Sequence, residues 1–177
     1  MIRLTDEIVV RLRKIKLAIF DADGVLTDGT LYYGPAGEEL KAFNTLDGQG
    51  LKMLQQSGIE LAIISGRSSR ALARRAAEQE ILLFQGVQDK GKVFHELLAN
   101  FSLETEQSAC IGDDVIDLPI LIRCGFAATV PHAPDFVQQR VHYITQAAGG
   151  HGAVREFCEI ILRAQGKFDA MMEGYLR

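Results

Sequence analysis

The chain has 177 residues, of which 47% are apolar and 24% are charged, and its formal net charge is −4. This composition is typical of a globular domain that is long enough to bury a sizeable core. The negative charge and the lack of a basic block argue against a nucleic-acid-binding face. No apolar run approaches the ~20 residues of a membrane span, so we expect neither nucleic acid nor membrane as a partner.

The three cysteines and the N-terminal residues predict the cellular compartment of the protein. Cys110, Cys124 and Cys158 stand among apolar residues at wide spacings, which favours buried free thiols over disulfides or a metal site. Residues 1–14 carry charges throughout and lack the apolar core of a signal peptide. Both features predict a cytoplasmic protein.

Apolar runs and turn residues divide the chain into alternating helices and strands. Thr5 and Asp6 predict a helix cap ahead of a first short helix over 8–12, and an apolar run from Lys16 to Asp21 predicts the first strand. Further strands are predicted at 59–64, 81–84, 108–111, 126–130 and 143–144, and helices near 51–56, 68–79, 92–100, 116–124 and 153–164. This alternation indicates an α/β fold with a doubly wound, mainly parallel, Rossmann-like sheet and helices on both faces. Residues 1–177 are expected to form a single domain with a C-terminal tail from about 166.

Residues 30–44 interrupt this alternation. Two short stretches with apolar side chains flank the turn sequence Gly34–Gly37, which predicts a projecting β-hairpin. A two-stranded projection is marginally stable in water unless another surface covers it. It could pack on its own domain or pair with neighbouring subunits, and we favour the second interpretation.

Polar side chains follow the predicted strands where each one ends. In chain order these are Asp21 and Asp23, then Ser65, then Lys90, and then Asp113 and Asp114 with Asp117 one turn further on. Because parallel strands end at the same edge of a sheet, we expect these groups to converge. Taken singly, the acids also fit surface turns and the serine fits a helix cap, and the alternatives to Lys90 are Lys41, Lys52 and Lys92. Their order at successive strand ends favours catalysis.

This set of residues meets the needs of phosphate monoester hydrolysis. Asp21 is the predicted nucleophile, and Asp23 protonates the leaving alcohol and then deprotonates the attacking water. Ser65 is predicted to donate a hydrogen bond to a phosphate oxygen, and Lys90 to neutralise charge. The clustered carboxylates would repel a phosphate dianion, so we predict Mg²⁺ bound by the Asp21 carboxylate, the Asp23 backbone carbonyl and Asp113.

The motifs Asp21–Gly24, Ser65, Lys90 and Gly112–Asp114 resemble those of the haloacid dehalogenase superfamily of aspartate-nucleophile phosphatases. Most members carry an inserted cap domain, but this chain leaves no room for one between its motifs. The resemblance therefore implies a capless phosphatase. Such an open site acts on macromolecules or is closed by a neighbouring subunit.

Additional stretches, from 29–33 to 149–156, resemble the sugar-acid phosphatases of that superfamily over nearly the whole chain. The resemblance implies a Mg²⁺-dependent homotetramer whose hairpins form a central barrel and whose neighbouring subunits complete each site. The implied reaction converts 3-deoxy-D-manno-octulosonate 8-phosphate to the free sugar acid and phosphate, a step towards lipopolysaccharide. The implied substrate contacts come from Asp23, Asn44, Thr45, Leu46, Asp47, Gly48, Lys52, Arg67, Arg75, Lys90 and Asp114.

Three alternatives and one possible site residue remain. A nonulosonate 9-phosphate phosphatase would share the fold, the metal and the catalytic residues. Outside enzymes, the alternatives are a receiver-type phosphorylation switch and an inactive oligomeric scaffold. His151, between glycines, is a further residue that could approach the site.

Overall fold

The structure is a computed structural model that describes residues 4–35, 37 and 39–176. Its strands are β1 Leu17–Phe20, β2 Tyr32–Tyr33, β3 Glu39–Leu40, β4 Glu60–Ser65, β5 Leu82–Gln85, β6 Ser108–Ile111, β7 Phe126–Thr129 and β8 Tyr143–Ile144. Its α-helices are α1 Asp6–Leu12, α2 Thr45–Gln56, α3 Arg70–Glu78, α4 Lys90–Phe101, α5 Leu118–Leu121, α6 Asp135–Gln138, α7 Ala153–Ala164 and α8 Phe168–Tyr175.

Six strands form one sheet in the order β5-β4-β1-β6-β7-β8, and every neighbouring pair is parallel. The chain runs outward from β1 to β5, returns to the other side of β1, and then runs outward to β8. This reversal places the topological switch point at β1 and β6, whose carboxyl ends form the crevice where open α/β sheets bind ligands. The predicted doubly wound α/β fold is confirmed.

The central strands are buried along their whole length because helices cover them. All residues of β1 and β6 are buried, as their near-continuous apolar sequences require in a parallel sheet. Helix α7 packs against α1, α2 and α8, while α4 packs against α5. The Phe157 ring of α7 lies edge-on to Phe20, with centroids 5.6 Å apart, and stacks 6.0 Å from Phe126. This aromatic group supports β1 directly beneath the polar edge.

The predicted hairpin is present as the antiparallel pair of β2 and β3, with Tyr32 opposite Leu40. Its turn includes residues 36 and 38, which lie outside the described residues. Tyr32, Tyr33 and Leu40 are between 53% and 68% exposed, so the hairpin presents apolar side chains to its surroundings.

Several elements differ from the sequence prediction, including α5, which is shorter than predicted, and α6, which was not predicted. Helix α2 begins at Thr45, because Asn44 caps it by accepting a 2.8 Å hydrogen bond from the Leu46 N–H, so residues 44–48 form a capped first turn and not a loop. Lys90 likewise opens α4 behind the cap Asp89. The C-terminal tail contains helix α8. Among the described residues, no helix has the length and apolar character to cross a membrane.

Candidate active site

The end of β1 turns sharply so that two acids face the crevice. Residues Ala22–Leu26 form one wide turn after β1, and within it Gly24 has a φ of 92°. This is the left-handed region that favours glycine. A Cβ atom on Gly24 would also overlap the Asp113 carboxylate. Glycine at this position therefore lets Asp113 of the neighbouring strand end approach Asp21.

Three carboxylates and one lysine form an inner cluster, namely Asp21, Asp113, Asp117 and Lys90. One oxygen from each carboxylate lies within 4.8 Å of the others. Lys90 Nζ lies 2.5 Å from both Asp21 Oδ1 and Asp117 Oδ1. The Asp21 N–H donates to the Ile111 carbonyl, which holds the ends of β1 and β6 side by side. The structure therefore brings the predicted Asp21, Asp113 and Lys90 together.

Asp117 has a larger part in this cluster than the sequence analysis gave it. It closes a 3₁₀ turn, Val115–Asp117, and is only 2% exposed. Its Oδ2 accepts hydrogen bonds from the Asp113 N–H at 3.0 Å and the Asp114 N–H at 3.2 Å. Asp117 thus holds both Lys90 and the loop that carries Asp113.

The inner cluster has the charge and the ligand type that a hard divalent cation needs. Burial and then the neighbouring Asp117 raise the pKa of Asp21 to about 8. Burial, Asp117 and Asp114 raise the pKa of Asp113 to about 7. The inner cluster holds three carboxylates and one lysine, so two negative charges are left uncompensated when all are ionised. Oxygen ligands with an excess of two negative charges fit Mg²⁺.

A second group of charged side chains lies around the Asp23 carboxylate. We call this group the outer ring, and it consists of Asp23, Glu39, Lys41 and Arg67. Lys41 Nζ binds Asp23 Oδ1 and lies 2.7 Å from Glu39 Oε1. Arg67 lies 3.4 Å from both Asp23 Oδ2 and Glu39 Oε2, and it donates a 2.6 Å hydrogen bond to the Tyr33 hydroxyl. Each carboxylate therefore contacts both cations.

Ser65 and Asp114, two further residues of the predicted site, lie at the same carboxyl-terminal edge of the sheet. Ser65 ends β4 beside β1, is 2% exposed, and its Oγ accepts from the Arg67 N–H at 3.3 Å. Asp114 is exposed and caps the following turn by accepting from the Val115 N–H at 2.7 Å. Lys92, an alternative to Lys90, lies 4.0 Å from Glu96 on exposed α4 surface instead.

Some of the residues that were predicted to contact substrate contact other residues of the protein in the structure. Asp47 is buried, and it accepts hydrogen bonds from the N–H groups of Gly152 and Arg155, so it caps the N-terminus of α7. Burial raises the pKa of Asp47 above its ordinary value. Arg75 lies 5.9 Å from the Phe43 ring and 3.8 Å from Glu78. Leu46 and Lys52 are exposed on α2, while Thr45 and Gly48 belong to its first turn.

A cleft of about 300 Å³ opens beside the inner cluster, and its walls include Gly24, Asp113, His132 and His151. His151 therefore lies near the site, and so does His132. A larger cleft of about 500 Å³ lies at the opposite, amino-terminal edge of the sheet, beside Lys16 and Gly58. The converging carboxylates, and not cleft size, identify the candidate active site.

Sequence reasoning gave no role to Lys41 beyond an alternative to Lys90, and it gave none to Glu39. The available signal was their spacing, since residues two apart on an extended chain point to the same side. That shared side faces Asp23, whereas Leu40 between them is exposed.

Comparisons with known proteins agree with this geometry. Residues 75–157 match the haloacid dehalogenase-like hydrolase family. The chain is 45% identical to 3-deoxy-D-manno-octulosonate 8-phosphate phosphatase of Yersinia pestis, covering 94% of this chain and 89% of that protein. The structure of the Moraxella catarrhalis phosphatase of that name, in complex with magnesium, phosphate and 3-deoxy-D-manno-octulosonate, superposes with a TM-score of 0.95, 43% identity and coverage of 97% and 99%.

The cobalt-bound Haemophilus influenzae phosphatase superposes with a TM-score of 0.90 at 42% identity, covering 94% of this chain and 99% of the other. These similarities extend over nearly the full length of both proteins in each pair. The chain therefore belongs to the haloacid dehalogenase-like hydrolases and, within them, to the family of the 3-deoxy-D-manno-octulosonate 8-phosphate phosphatases.

Proposed function

We propose that the protein is a Mg²⁺-dependent phosphatase that hydrolyses 3-deoxy-D-manno-octulosonate 8-phosphate to 3-deoxy-D-manno-octulosonate and phosphate, a step of lipopolysaccharide biosynthesis. The observation that carries this proposal is the separation of two acids at one strand end. Asp21 is paired with Lys90 inside the acidic inner cluster, whereas Asp23 is held apart in the outer ring. A nucleophile and a separate acid/base are what a two-step phosphoryl transfer needs.

Mg²⁺ fits the inner cluster, and Asp21, Asp113 and the Asp23 backbone carbonyl are its proposed ligands. Asp117 already accepts hydrogen bonds from Lys90 and from two backbone N–H groups. We therefore assign Asp117 to holding Lys90 and the Asp113 loop. When bound, the ion supplies positive charge that offsets the carboxylates and polarises the phosphoryl group.

In the first step, an Asp21 oxygen attacks phosphorus while Asp23 gives its proton to the leaving sugar oxygen. Lys90 keeps Asp21 oriented through its 2.5 Å contact and offsets negative charge. Ser65 donates a hydrogen bond to a phosphate oxygen from the end of β4. In the second step, Asp23 takes a proton from water as that water attacks the aspartyl-phosphate.

The proposed substrate contacts differ in how directly the structure supports them. The contact from Arg67 has the most direct support. Its side chain lies 3.4 Å from Asp23 and is 43% exposed, so its guanidinium can bind the substrate carboxylate. Asp23, Lys90 and Asp114 lie at the same edge. Contacts from Asn44 to Gly48, Lys52 and Arg75 remain predictions, since these residues pack around α2.

We also propose a single-domain cytoplasmic protein that assembles as a homotetramer through its hairpins. The exposed Tyr32, Tyr33 and Leu40 of the hairpin support this assembly, as does a single continuous core from Leu12 to Leu162 for the one domain. Neighbouring subunits would then complete each open site.

The assembly predicts a particle mass four times the 19.5 kDa of one chain. Light scattering after size exclusion measures that mass directly, and Leu40→Glu should lower it because a buried charge in the interface is costly. An exposed Leu176→Glu variant provides the control at a site outside the hairpin. A wild-type mass of one chain would contradict the proposed assembly.

The decisive test of function is a panel of phosphate esters assayed with Mg²⁺ and with a chelator. We expect 3-deoxy-D-manno-octulosonate 8-phosphate to give the highest kcat/KM, and chelation to lower turnover by about 100-fold or more. A nonulosonate 9-phosphate is the matched substrate control. Preference for the nine-carbon ester would overturn the substrate assignment, and no phosphate release from any ester would overturn the phosphatase itself.

A further inference from the structure

Lys41 has the most completely buried side chain of the outer ring. Its side chain is 1% exposed, compared with 12% for Glu39, 21% for Asp23 and 43% for Arg67. Lysine is almost never buried to this extent unless it is paired, and here the two partners are both carboxylates. Fixing a long flexible side chain costs conformational entropy, and buried ion pairs are a weak source of stability. Stability alone therefore does not explain the fixed position of Lys41, and we expect this side chain to have a function at the site.

The hairpin meets the site through polar contacts. Its side chains Tyr32 and Leu40 are exposed. Glu39 and Lys41 point into the outer ring, and the Tyr33 hydroxyl, opposite Glu39, accepts a hydrogen bond from Arg67, so these side chains connect the hairpin to the end of β1. The position of Asp23 is consequently linked to the hairpin.

The two oxygens of Asp23 have different partners. Oδ1 contacts the buried Lys41, while Oδ2 has, among the residues that the structure describes, only the 3.4 Å contact with the more exposed Arg67. A 3.4 Å contact is long for a charge-assisted hydrogen bond, so Arg67 gives up little when it turns towards another anion. Asp23 Oδ1 is thus anchored, and Asp23 Oδ2 is available for proton transfer.

We propose that Lys41 is a positioning residue for the reaction described above, anchoring Asp23 Oδ1 so that Oδ2 is the oxygen that transfers the proton. This inference rests on the proposed phosphatase function. The proton on Oδ2 passes to the bridging oxygen as its bond to phosphorus breaks and the Asp21–phosphorus bond forms. Oδ2 then takes a proton from water as the water oxygen bonds to phosphorus and the Asp21–phosphorus bond breaks.

Glu39 completes the arrangement by sharing Lys41 with Asp23. It lies 2.7 Å from Lys41 and also contacts Arg67, so the ring carries two positive and two negative charges. Lys41 is therefore fixed from two sides and cannot follow an incoming phosphate. This distinguishes it from Lys90, which contacts the nucleophile.

The test compares first and later turnovers of Lys41→Met on two Mg²⁺-saturated substrates. Nitrophenolate leaves without a proton, whereas the sugar alkoxide needs one. We expect the first turnover of p-nitrophenyl phosphate to change by less than about 3-fold, and the first turnover of the sugar-acid phosphate to slow by about 30-fold, with KM nearly unchanged. Later turnovers of p-nitrophenyl phosphate should slow as well, because the attacking water still needs Asp23, so a burst of nitrophenol should appear.

Lys41→Arg should recover most of the sugar-acid rate because it restores a cation on the same strand. Lys14→Met, which removes an exposed lysine at the opposite edge of the sheet, should leave both substrates unaffected. If Lys41→Met does not fold, Lys41→Gln carries the same readout with a hydrogen-bond donor retained.

Equal slowing of both first turnovers would show a structural role and overturn the inference. A raised KM with unchanged kcat would also overturn it, because Lys41 would then bind substrate. Neither result touches the phosphatase proposal, which fails only if the wild-type protein releases no phosphate from any ester in Mg²⁺.

Discussion

Asp21→Asn is expected to abolish phosphate release, with a loss in kcat of about 10⁴-fold or more. The amide that replaces the carboxylate is neutral and a much weaker nucleophile, and attack by its oxygen would not give an acyl phosphate, so the first step loses its nucleophile. The amide oxygen can still accept from Lys90, whose Nζ lies 2.5 Å from Asp21 Oδ1 in the wild type. We therefore expect the variant to fold and to keep a thermal transition.

The measurement is steady-state phosphate release, together with acid-quenched labelling by a ³²P-phosphate ester. Wild-type protein should retain acid-stable, base-labile label, and Asp21→Asn should retain none. Asp135→Asn, at the exposed start of α6, is the matched control and should behave as wild type. Label on the Asp21→Asn protein, or activity within tenfold of wild type, would assign the nucleophile to another residue.

The strand ends were predictable from sequence because their signal is local. An apolar run followed directly by Asp21 and Asp23 sets both the strand and its polar end, and the same pattern recurs at Ser65 and Asp113. The reversal of strand order then brings the polar ends together without any information about side-chain contacts. Fold class and the nucleophile cluster therefore follow from pattern and topology.

The start of α2 was not predictable, because its glycines suggest a loop when only local preference is considered. In the structure, Gly50 permits close packing, since a Cβ atom there would lie 3.0 Å from the Arg155 Cα of α7. Asp47 is buried in the same contact, where it caps α7. The roles of these residues depend on contacts with a helix about a hundred positions away in the sequence, and no local sequence pattern indicates such contacts.

Asp23 and Arg67 of the outer ring were named from the sequence, but the part played there by Glu39 and Lys41 was missed for a similar reason. Lys41 meets Asp23 across 18 positions of sequence, and Arg67 meets the hairpin across 28. Their charges alone fit an ordinary solvated face. Only the folded position of the hairpin shows that Lys41 is enclosed.

Lys90→Met should lose activity and stability together. Lys90 is 3% exposed and is shared by two buried carboxylates, Asp21 and Asp117. Burial alone would lower the pKa of Lys90, but these two acids outweigh burial and raise it, so the lysine is charged throughout the working range. Removing one partner of a buried ion pair costs about 3–5 kcal/mol, and loss of charge stabilisation at the reacting group lowers kcat by about 10²–10³-fold.

The stability loss should depend on pH in a defined direction. Burial and Asp117 raise the pKa of Asp21 above its ordinary value, and losing Lys90 removes a group that lowers this pKa. A carboxyl group with a raised folded-state pKa binds more protons folded than unfolded, so the free energy of unfolding falls as pH rises between the two values. Without Mg²⁺, the difference in Tm between wild type and Lys90→Met should therefore grow as pH rises through about 8, the wild-type pKa of Asp21, and be larger at about pH 9 than at about pH 6.

Thermal unfolding of both proteins in a chelator, at several pH values, measures this difference. Lys92→Met is the matched control, because Lys92 lies two residues further along α4 with a side chain that is 74% exposed. Its Tm should follow the wild type at every pH. A Lys90→Met penalty that stayed constant or shrank with rising pH would mean that Asp21 does not depend on Lys90 for its charge, and the inner cluster would then need another source of positive charge in the folded protein.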